Sequence, residues 1–269
     1  MLNFIKKKLR HIRFLRLFYW KIRNNNPILR LKKSLIIRRF NEDRFFLNVG
    51  GFIFLKDDWR VLDYISKAYP ISEKLIDYNI NLSEKQTLPI ADKKADLVYS
   101  SHTFEHILED AALFHFGEIH RILKREGTFR IVVPDIDLFW DACKRNDTDF
   151  LNHVSKGQDE SLPSFFLNSF SCMRAEKETL ESDFNHLTKE DFLQRYQTKQ
   201  IENPANHDFS HHINWFTYDK LRSMLIKAGF DKDKIIRSDY LDSRSLEMRD
   251  ERFFDQTIPK ASLFVECVK

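Results

Sequence analysis

Residues 45–51 read Phe-Phe-Leu-Asn-Val-Gly-Gly and open the series of short apolar runs that decides the fold. Trp59-Arg60-Val61-Leu62-Asp63 follows, a β-rich run closing on an acid. Leu75-Ile76-Asp77-Tyr78-Asn79-Ile80 predicts a third strand, and Ala95-Asp96-Leu97-Val98-Tyr99-Ser100-Ser101 predicts a fourth. A helix pattern then runs over residues 105–124, with Leu108, Ala112, Ile119 and Leu123 at core spacing. Gly127 is the expected reversal after it. Residues 128–133 predict a fifth strand, buried on both faces by its apolar run, and Pro134-Asp135 ends it. Short strands alternating with helix-period segments predict an α/β fold built on a mostly parallel sheet. Ligands of such sheets sit at the carboxyl ends of the strands, where Gly50, Asp63, Asn81 and residues 100–106 fall.

Outside this stretch the charge is uneven. Residues 1–40 hold 13 Lys and Arg and no acid, which leaves 31 basic against 40 acidic side chains in the rest of the chain. A basic arm (1–40) is thus attached to an acidic body (41–269). In the arm, Leu2, Ile5, Leu9, Ile12, Leu15, Tyr19 and Ile22 recur at spacings of three and four and predict an amphipathic helix. Its charges are too frequent for a membrane span, and no apolar core or cleavage site marks a secretory signal. With Phe4, Phe14, Phe18 and Trp20 on its apolar side, the basic helix over residues 1–23 suits the interface of an anionic membrane. The same pattern suits packing on the body or on a second subunit, and a nucleic-acid arm is the third reading.

The body ends in a helix over residues 218–228, capped by Thr217 and closed by Gly229, and in strands at 234–237 and Ser262–Val268. Between the fifth strand and that helix, residues 147–210 are polar, with helical pieces at 165–170 and Lys189–Tyr196 and prolines at Pro163 and Pro204. They read as a lid or cap inserted into the domain. Cys143, Cys172 and Cys267 are odd in number and widely spaced, so they read as buried thiols of a reducing, cytoplasmic compartment.

The glycine turn at 50–51, Asp63, Leu88-Pro89-Ile90 and the segment Ser100-Ser101-His102-Thr103-Phe104-Glu105-His106 occur in a telling order. Over residues 45–140, and again over 212–269, the chain resembles the class I S-adenosylmethionine (SAM)-dependent methyltransferases of the small-molecule or glycan, methyltransferase-11-like type. The resemblance implies a Rossmann-like, mostly parallel seven-stranded sheet with helices on both faces and an antiparallel C-terminal strand. It also implies SAM as cofactor. Gly50 and Gly51 then wrap its methionine end, Asp63 binds the ribose hydroxyls, Asn81 and Leu82 lie near the adenine, and Ser100 and Ser101 end the fourth strand beside it. The sequence departs from the family at three points. Phe52 stands where relatives place a further glycine, Asn81 where an acid is common, and Arg125-Glu126-Gly127 where Pro-Gly-Gly is usual. The connection from Gly51 to Trp59 is also too short for a full crossover helix.

A hydroxyl acceptor benefits from a base with pKa near neutrality, which makes His106 and His102 the candidate bases and Glu105 their orienting partner. The structural alternative is that these residues cap the helix or hold the loop. Asp135 either lines the acceptor site or caps the following helix, and His212, in a His-x-Asn element of the kind the family places near the acceptor, is a pocket-lining candidate. No metal is expected: the helical H-E-x-x-H order is absent and no third ligand is identifiable. Arg244, Arg249 and Arg252 read as solvated charge, with anion binding as the alternative.

These readings lead to SAM-dependent methylation of a small-molecule or glycan acceptor. O-methylation in surface-polysaccharide or related sugar metabolism is the expected reaction, with the arm holding the enzyme peripherally on the cytoplasmic membrane face. The alternative is a catalytically inactive methyltransferase-like fold that binds a membrane or partner, which Phe52, Asn81 and a total of 6 glycines favour. Nucleic-acid methylation ranks last, because the acidic body repels phosphate and the fourth strand lacks a Pro-Pro-aromatic element.

Overall fold

Strands β1 (Phe46–Val49), β2 (Trp59–Asp63), β3 (Tyr78–Asn79), β4 (Ala95–Ser101), β5 (Leu123–Pro134), β6 (Ile235–Ser238) and β7 (Ser262–Val268) form one sheet. Their order is β3-β2-β1-β4-β5-β7-β6. β1 lies parallel between β2 and β4, while β7 runs antiparallel to both β5 and β6. The computed structural model describes residues 40–51, 54, 56–65, 75–155, 161–200 and 211–269. The arm expected over residues 1–23 and Phe52 lie outside the described residues.

One face of the sheet carries α1 (Glu109–Ile122) and α7 (Tyr218–Lys227). Leu47, Val49, Val98, Phe129, Ile131 and Val265 from the strands pack there against Ala112, Phe116, Ile119, Leu221 and Leu225. The i, i+3, i+4, i+7 spacing of Ala112, Phe116 and Ile119 puts them on the sheet-facing side of α1, with Leu113 packed at its margin. Phe46, Val61, Leu97, Tyr99 and Phe264 point to the opposite face, as period two requires. Among the described residues that face is covered by Phe54, Met248 and Phe254. Phe54, Trp59, Tyr99 and Phe254 meet there in tilted and edge-on pairs 4.9–6.4 Å apart, a geometry that the ring quadrupoles favour.

Four helices follow α2 (Ile136–Arg145): α3 (Thr148–Ser155), α4 (Leu162–Asn168), α5 (Lys177–His186) and α6 (Lys189–Tyr196). Phe166, Phe170, Phe184 and Phe192 from this inserted region form a second core on Ile136, Phe139 and Cys143 of α2. Trp140 packs edge-on to Phe166 and Phe184 at 5.0 Å, a core role.

The structure revises several local expectations. The third strand shrinks from residues 75–80 to Tyr78–Asn79. The helix expected over 105–124 is split into a 3-10 turn at Phe104–His106 and α1 from Glu109. The carbonyl of Glu105 accepts the N–H groups of Ile213 and Asn214, at 2.8 and 3.1 Å, so a long-range pairing holds the oxygen that would have continued a helix. The reversal after α1 uses a left-handed Glu126 (φ 61°) in place of Gly127. Gly127 is needed for closeness instead: a Cβ there would lie 2.9 Å from the Lys124 carbonyl oxygen. β5 is buried on both faces over residues 128–134, Arg130 included, whereas Cys172, expected to be buried, is exposed.

Candidate active site

The carboxyl ends of β1, β2 and β4 meet at one edge of the sheet. Gly50 has φ 74° and its N–H donates to the Leu62 carbonyl at 2.8 Å. A Cβ on Gly50 would fall 2.1 Å from Thr103 Oγ1, and one on Gly51 would fall 2.7 Å from Asn48 Nδ2. Gly50 therefore demands glycine for conformation as well as for space, whereas a side chain at Gly51 would have to displace the buried Asn48 amide. Ser100 donates its hydroxyl to the Val49 carbonyl at 2.9 Å, tying β4 to this turn.

Asp63 ends β2 and accepts the Tyr64 N–H at 2.7 Å through Oδ1. Its register partner on β3 is Asn79. Asn81 follows and closes an Asx turn, accepting the Ser83 N–H at 3.0 Å and donating to Glu84 at 3.1 Å. Leu82 buries its side chain in the main core. Ser101 ends β4 half-buried. A glycine turn with no room for a side chain, flanked by a strand-end carboxylate and an Asn-led turn, fits the nucleoside and amino-acid parts of SAM.

Beyond β4 the loop turns sharply at His102, which takes φ 50°. Ser262 Oγ lies 2.8 Å from His102 Nε2 and can donate to the carbonyl of Thr257 or of Ile258, at 3.1 and 2.9 Å. The other ring nitrogen, Nδ1, then faces Glu105 Oε1 at 3.1 Å. This approach is off-axis: among the described residues neither carboxylate oxygen of Glu105 has an aligned hydrogen-bond donor, although the residue is only 1% exposed.

Two more imidazoles reach the same carboxylate. His106 Nε2 lies 3.8 Å from Glu105 Oε1, while its Nδ1 is 3.0 Å from the His211 carbonyl. His212 packs edge-on to His106 with ring centroids 4.8 Å apart, and its Nδ1 is 2.6 Å from the Ser169 carbonyl at the end of α4. Carbonyls only accept, so both Nδ1 atoms carry the proton. Glu105, His106 and His212 each present one potential ligand atom, all within 4.8 Å of one another. Burial works against ionisation of Glu105, yet the His102 contact and the imidazoles of His106 and His212 hold its carboxyl down at about 2. Burial also pushes the His212 imidazole down to about 4, against the pull of Glu105. A neutral ring beside an ionised, poorly partnered carboxylate is chemically an acceptor of protons or of cations.

His212 reaches this position because residues 213–216 are stitched across the strand ends. Ile213 and Asn214 donate to Glu105, Asp135 bridges Phe216, and Ile136 donates to the Phe216 carbonyl at 3.1 Å. Asp135 caps α2 by accepting the Asp137 N–H at 3.1 Å, and its other oxygen is 2.9 Å from Arg237 Nη2. Its carboxyl is raised by burial in spite of that guanidinium. Sequence patterns missed Lys220. Its ammonium lies 2.8 Å from Glu109 and 3.0 Å from Asn214 Oδ1, over the Trp215 ring, and burial lowers its pKa. On a helix so rich in charge no local signal marks it. Arg252 is paired with Asp250 at 2.7 Å, and Arg244 and Arg249 are exposed.

Residues 60–131 match the family model described as a methyltransferase domain. No curated protein matches the chain. Solved structures similar to it include a SAM-dependent methyltransferase from Archaeoglobus fulgidus, at 13% identity and TM-score 0.41, covering 100% of this chain and 99% of that one. One from Aquifex aeolicus is similar at 12% identity and TM-score 0.37, with 88% of each chain covered. Another, from Mesorhizobium loti, has 11% identity and TM-score 0.40, with 89% of this chain and 96% of that one covered. The matched segment includes most of β2, all of β4, the Glu105 turn and most of β5, so part of the strand-end geometry described above lies within the stretch that matches a methyltransferase domain.

Proposed function

We infer that this SAM-dependent methyltransferase transfers its methyl group to a hydroxyl of a small-molecule or glycan acceptor. The observation that carries the reading is Glu105, buried under His102, His106 and His212 beside the glycine turn of β1. An N-methylating enzyme working on an already nucleophilic amine has less need of such a cluster, whereas a hydroxyl must lose a proton to become a good nucleophile.

SAM, when bound, supplies an electrophilic methyl group on a sulfonium. Gly50 and Gly51 would let the backbone approach its amino-acid end, Asp63 would accept from its ribose hydroxyls, and the turn at Asn81 and Leu82 would hold the adenine. Ser100 holds β4 against the β1 turn and so fixes the distance between cofactor and acceptor sides. The proton leaving the acceptor hydroxyl goes to the Glu105–histidine cluster. The inserted helices α3–α6 cover the acceptor side and contribute the Ser169 carbonyl that orients His212. Asp135 lies at the β5 rim and shapes that side through the α2 cap.

A role in surface-polysaccharide or related sugar metabolism rests on the basic, aromatic-rich segment 1–23, which suits the cytoplasmic face of an anionic membrane. Among the described residues, no helix is long and apolar enough to cross a membrane.

Calorimetric titration with SAM and with its demethylated product, beside an Asp63→Ala variant, tests the cofactor site. Micromolar binding that the variant loses is expected. Absence of binding by folded protein overturns the reading and favours a fold that only binds partners.

A further inference from the structure

We propose that Glu105, His106 and His212 form a binding site for one divalent first-row metal ion of the zinc class, with an open coordination position facing the acceptor side. Three independent features of the cluster carry this inference. Among the described residues, Glu105, 1% exposed, receives an off-axis approach from His102 and no aligned hydrogen bond at either oxygen, which is a costly arrangement for a buried carboxylate. His106 and His212 both turn Nδ1–H onto backbone carbonyls, of His211 and Ser169, and that fixes the tautomer in which Nε2 carries a lone pair. Metal-ligating histidines are held in this way by their outer partners. Finally, the three ligand atoms lie within 4.8 Å of one another, close enough for small side-chain movements to bring them around one ion.

The donor set of two imidazoles and one carboxylate is that of catalytic zinc and related sites, which leave a position for water or substrate. His102 stays outside the set. Its Nε2 is hydrogen-bonded with Ser262 Oγ, and its Nδ1 approaches the Glu105 oxygen as an outer partner. An ion in this place would lower the pKa of a bound acceptor hydroxyl and leave His102 to take the proton. The role assigned to the ion rests on the methyl-transfer reading, but its binding does not.

The ligands come from both sides of a long gap. Glu105 and His106 share the turn after β4, whereas His212 is delivered by the Ile213 and Asn214 amides that bond to the Glu105 carbonyl. The same two hydrogen bonds that interrupt the expected helix therefore assemble the donor set.

The test uses the full chain, stripped by chelator and titrated with Co²⁺ and Zn²⁺. Metal content is read by elemental analysis and the site by visible cobalt absorption. One ion per chain is expected, with a nitrogen- and oxygen-ligand spectrum and no thiolate band. His106→Gln and His212→Gln should each weaken binding by about 100-fold or more, exceeding the effect of an outer-partner change. His186→Gln, on the surface of α5, should bind like the parent. Glu105→Gln is read beside circular dichroism, and if it misfolds the two histidine variants decide the matter. The proposal is overturned if folded parent protein takes up no stoichiometric metal, or if both histidine variants bind it as tightly as the parent. SAM titration of the stripped protein separates the two ideas, since cofactor binding without metal uptake removes the ion and leaves the methyltransferase reading standing.

Discussion

Arg130 Nη2 lies 2.6 Å from Asp255 Oδ2, and both side chains are completely buried. The pair joins the centre of β5 to the loop between β6 and β7. Arg130 Nη1 also lies 3.6 Å from Glu266 of β7, while Asp255 accepts the Leu241 N–H at 2.9 Å. Tyr99 of β4 donates its hydroxyl to the same carboxylate at 3.2 Å, and burial and the Asp255 charge push the phenol up. Removing one partner leaves the other charge buried and uncompensated. Asp255→Ala should therefore cost about 3–5 kcal/mol in urea denaturation. Arg130→Met, which leaves both Asp255 and Glu266 buried without their cation, should cost at least as much, and a loss within about 0.5 kcal/mol of zero in either variant would contradict the account.

Gly50→Ala tests the β1 turn. Its φ of 74° and the 2.1 Å approach of an added Cβ to Thr103 make any side chain strained there. A stability loss of about 1–3 kcal/mol is expected, with SAM affinity falling further than stability accounts for. Parent-like SAM binding in the variant would remove this turn from the cofactor site.

Asp135→Asn isolates a pH effect. Burial raises the folded carboxyl, so its contribution to stability is complete below the unfolded value of about 3.9 and is lost as pH rises through the folded one. Asn keeps the cap on Asp137 and removes only the charge. The partner Arg237 is 56% exposed, so the lost ion pair matters little. The variant should gain on the parent as pH rises from about 4 to 7, measured by thermal melts across that range. A difference that does not change with pH would show that burial does not govern this carboxyl.

Phe192→Ala tests the inserted region. Phe192 is fully buried and meets Phe166, Phe184 and Tyr196 at 4.7–5.9 Å. Its removal should cost about 3–5 kcal/mol. Because this cluster also includes Ile136, Phe139 and Ala261, the region should unfold with the sheet in one transition. Two separate transitions would make the insertion an independent unit.

The readable part of this protein is the part governed by local periodicity. Alternating and continuous apolar runs located β1, β2, β4 and β7, and Thr217 marked the start of α7, where it accepts the Lys220 N–H at 3.1 Å. The order of Gly50, Asp63 and Ser100–His106 along those runs indicated which strand ends would carry ligands. The helix break at Ile107 was not readable, since its cause is a pair of amides more than a hundred residues downstream.

The sequence by itself thus determined a mostly parallel α/β sheet, because strand and helix periods are properties of neighbouring residues. Only the tertiary structure decided what surrounds Glu105 and Arg130. His212, Ser169, Asp255 and Glu266 reach them through chain crossings that no local pattern encodes. A buried charge needs partners wherever the chain can supply them, and the fold alone determines which residues those are.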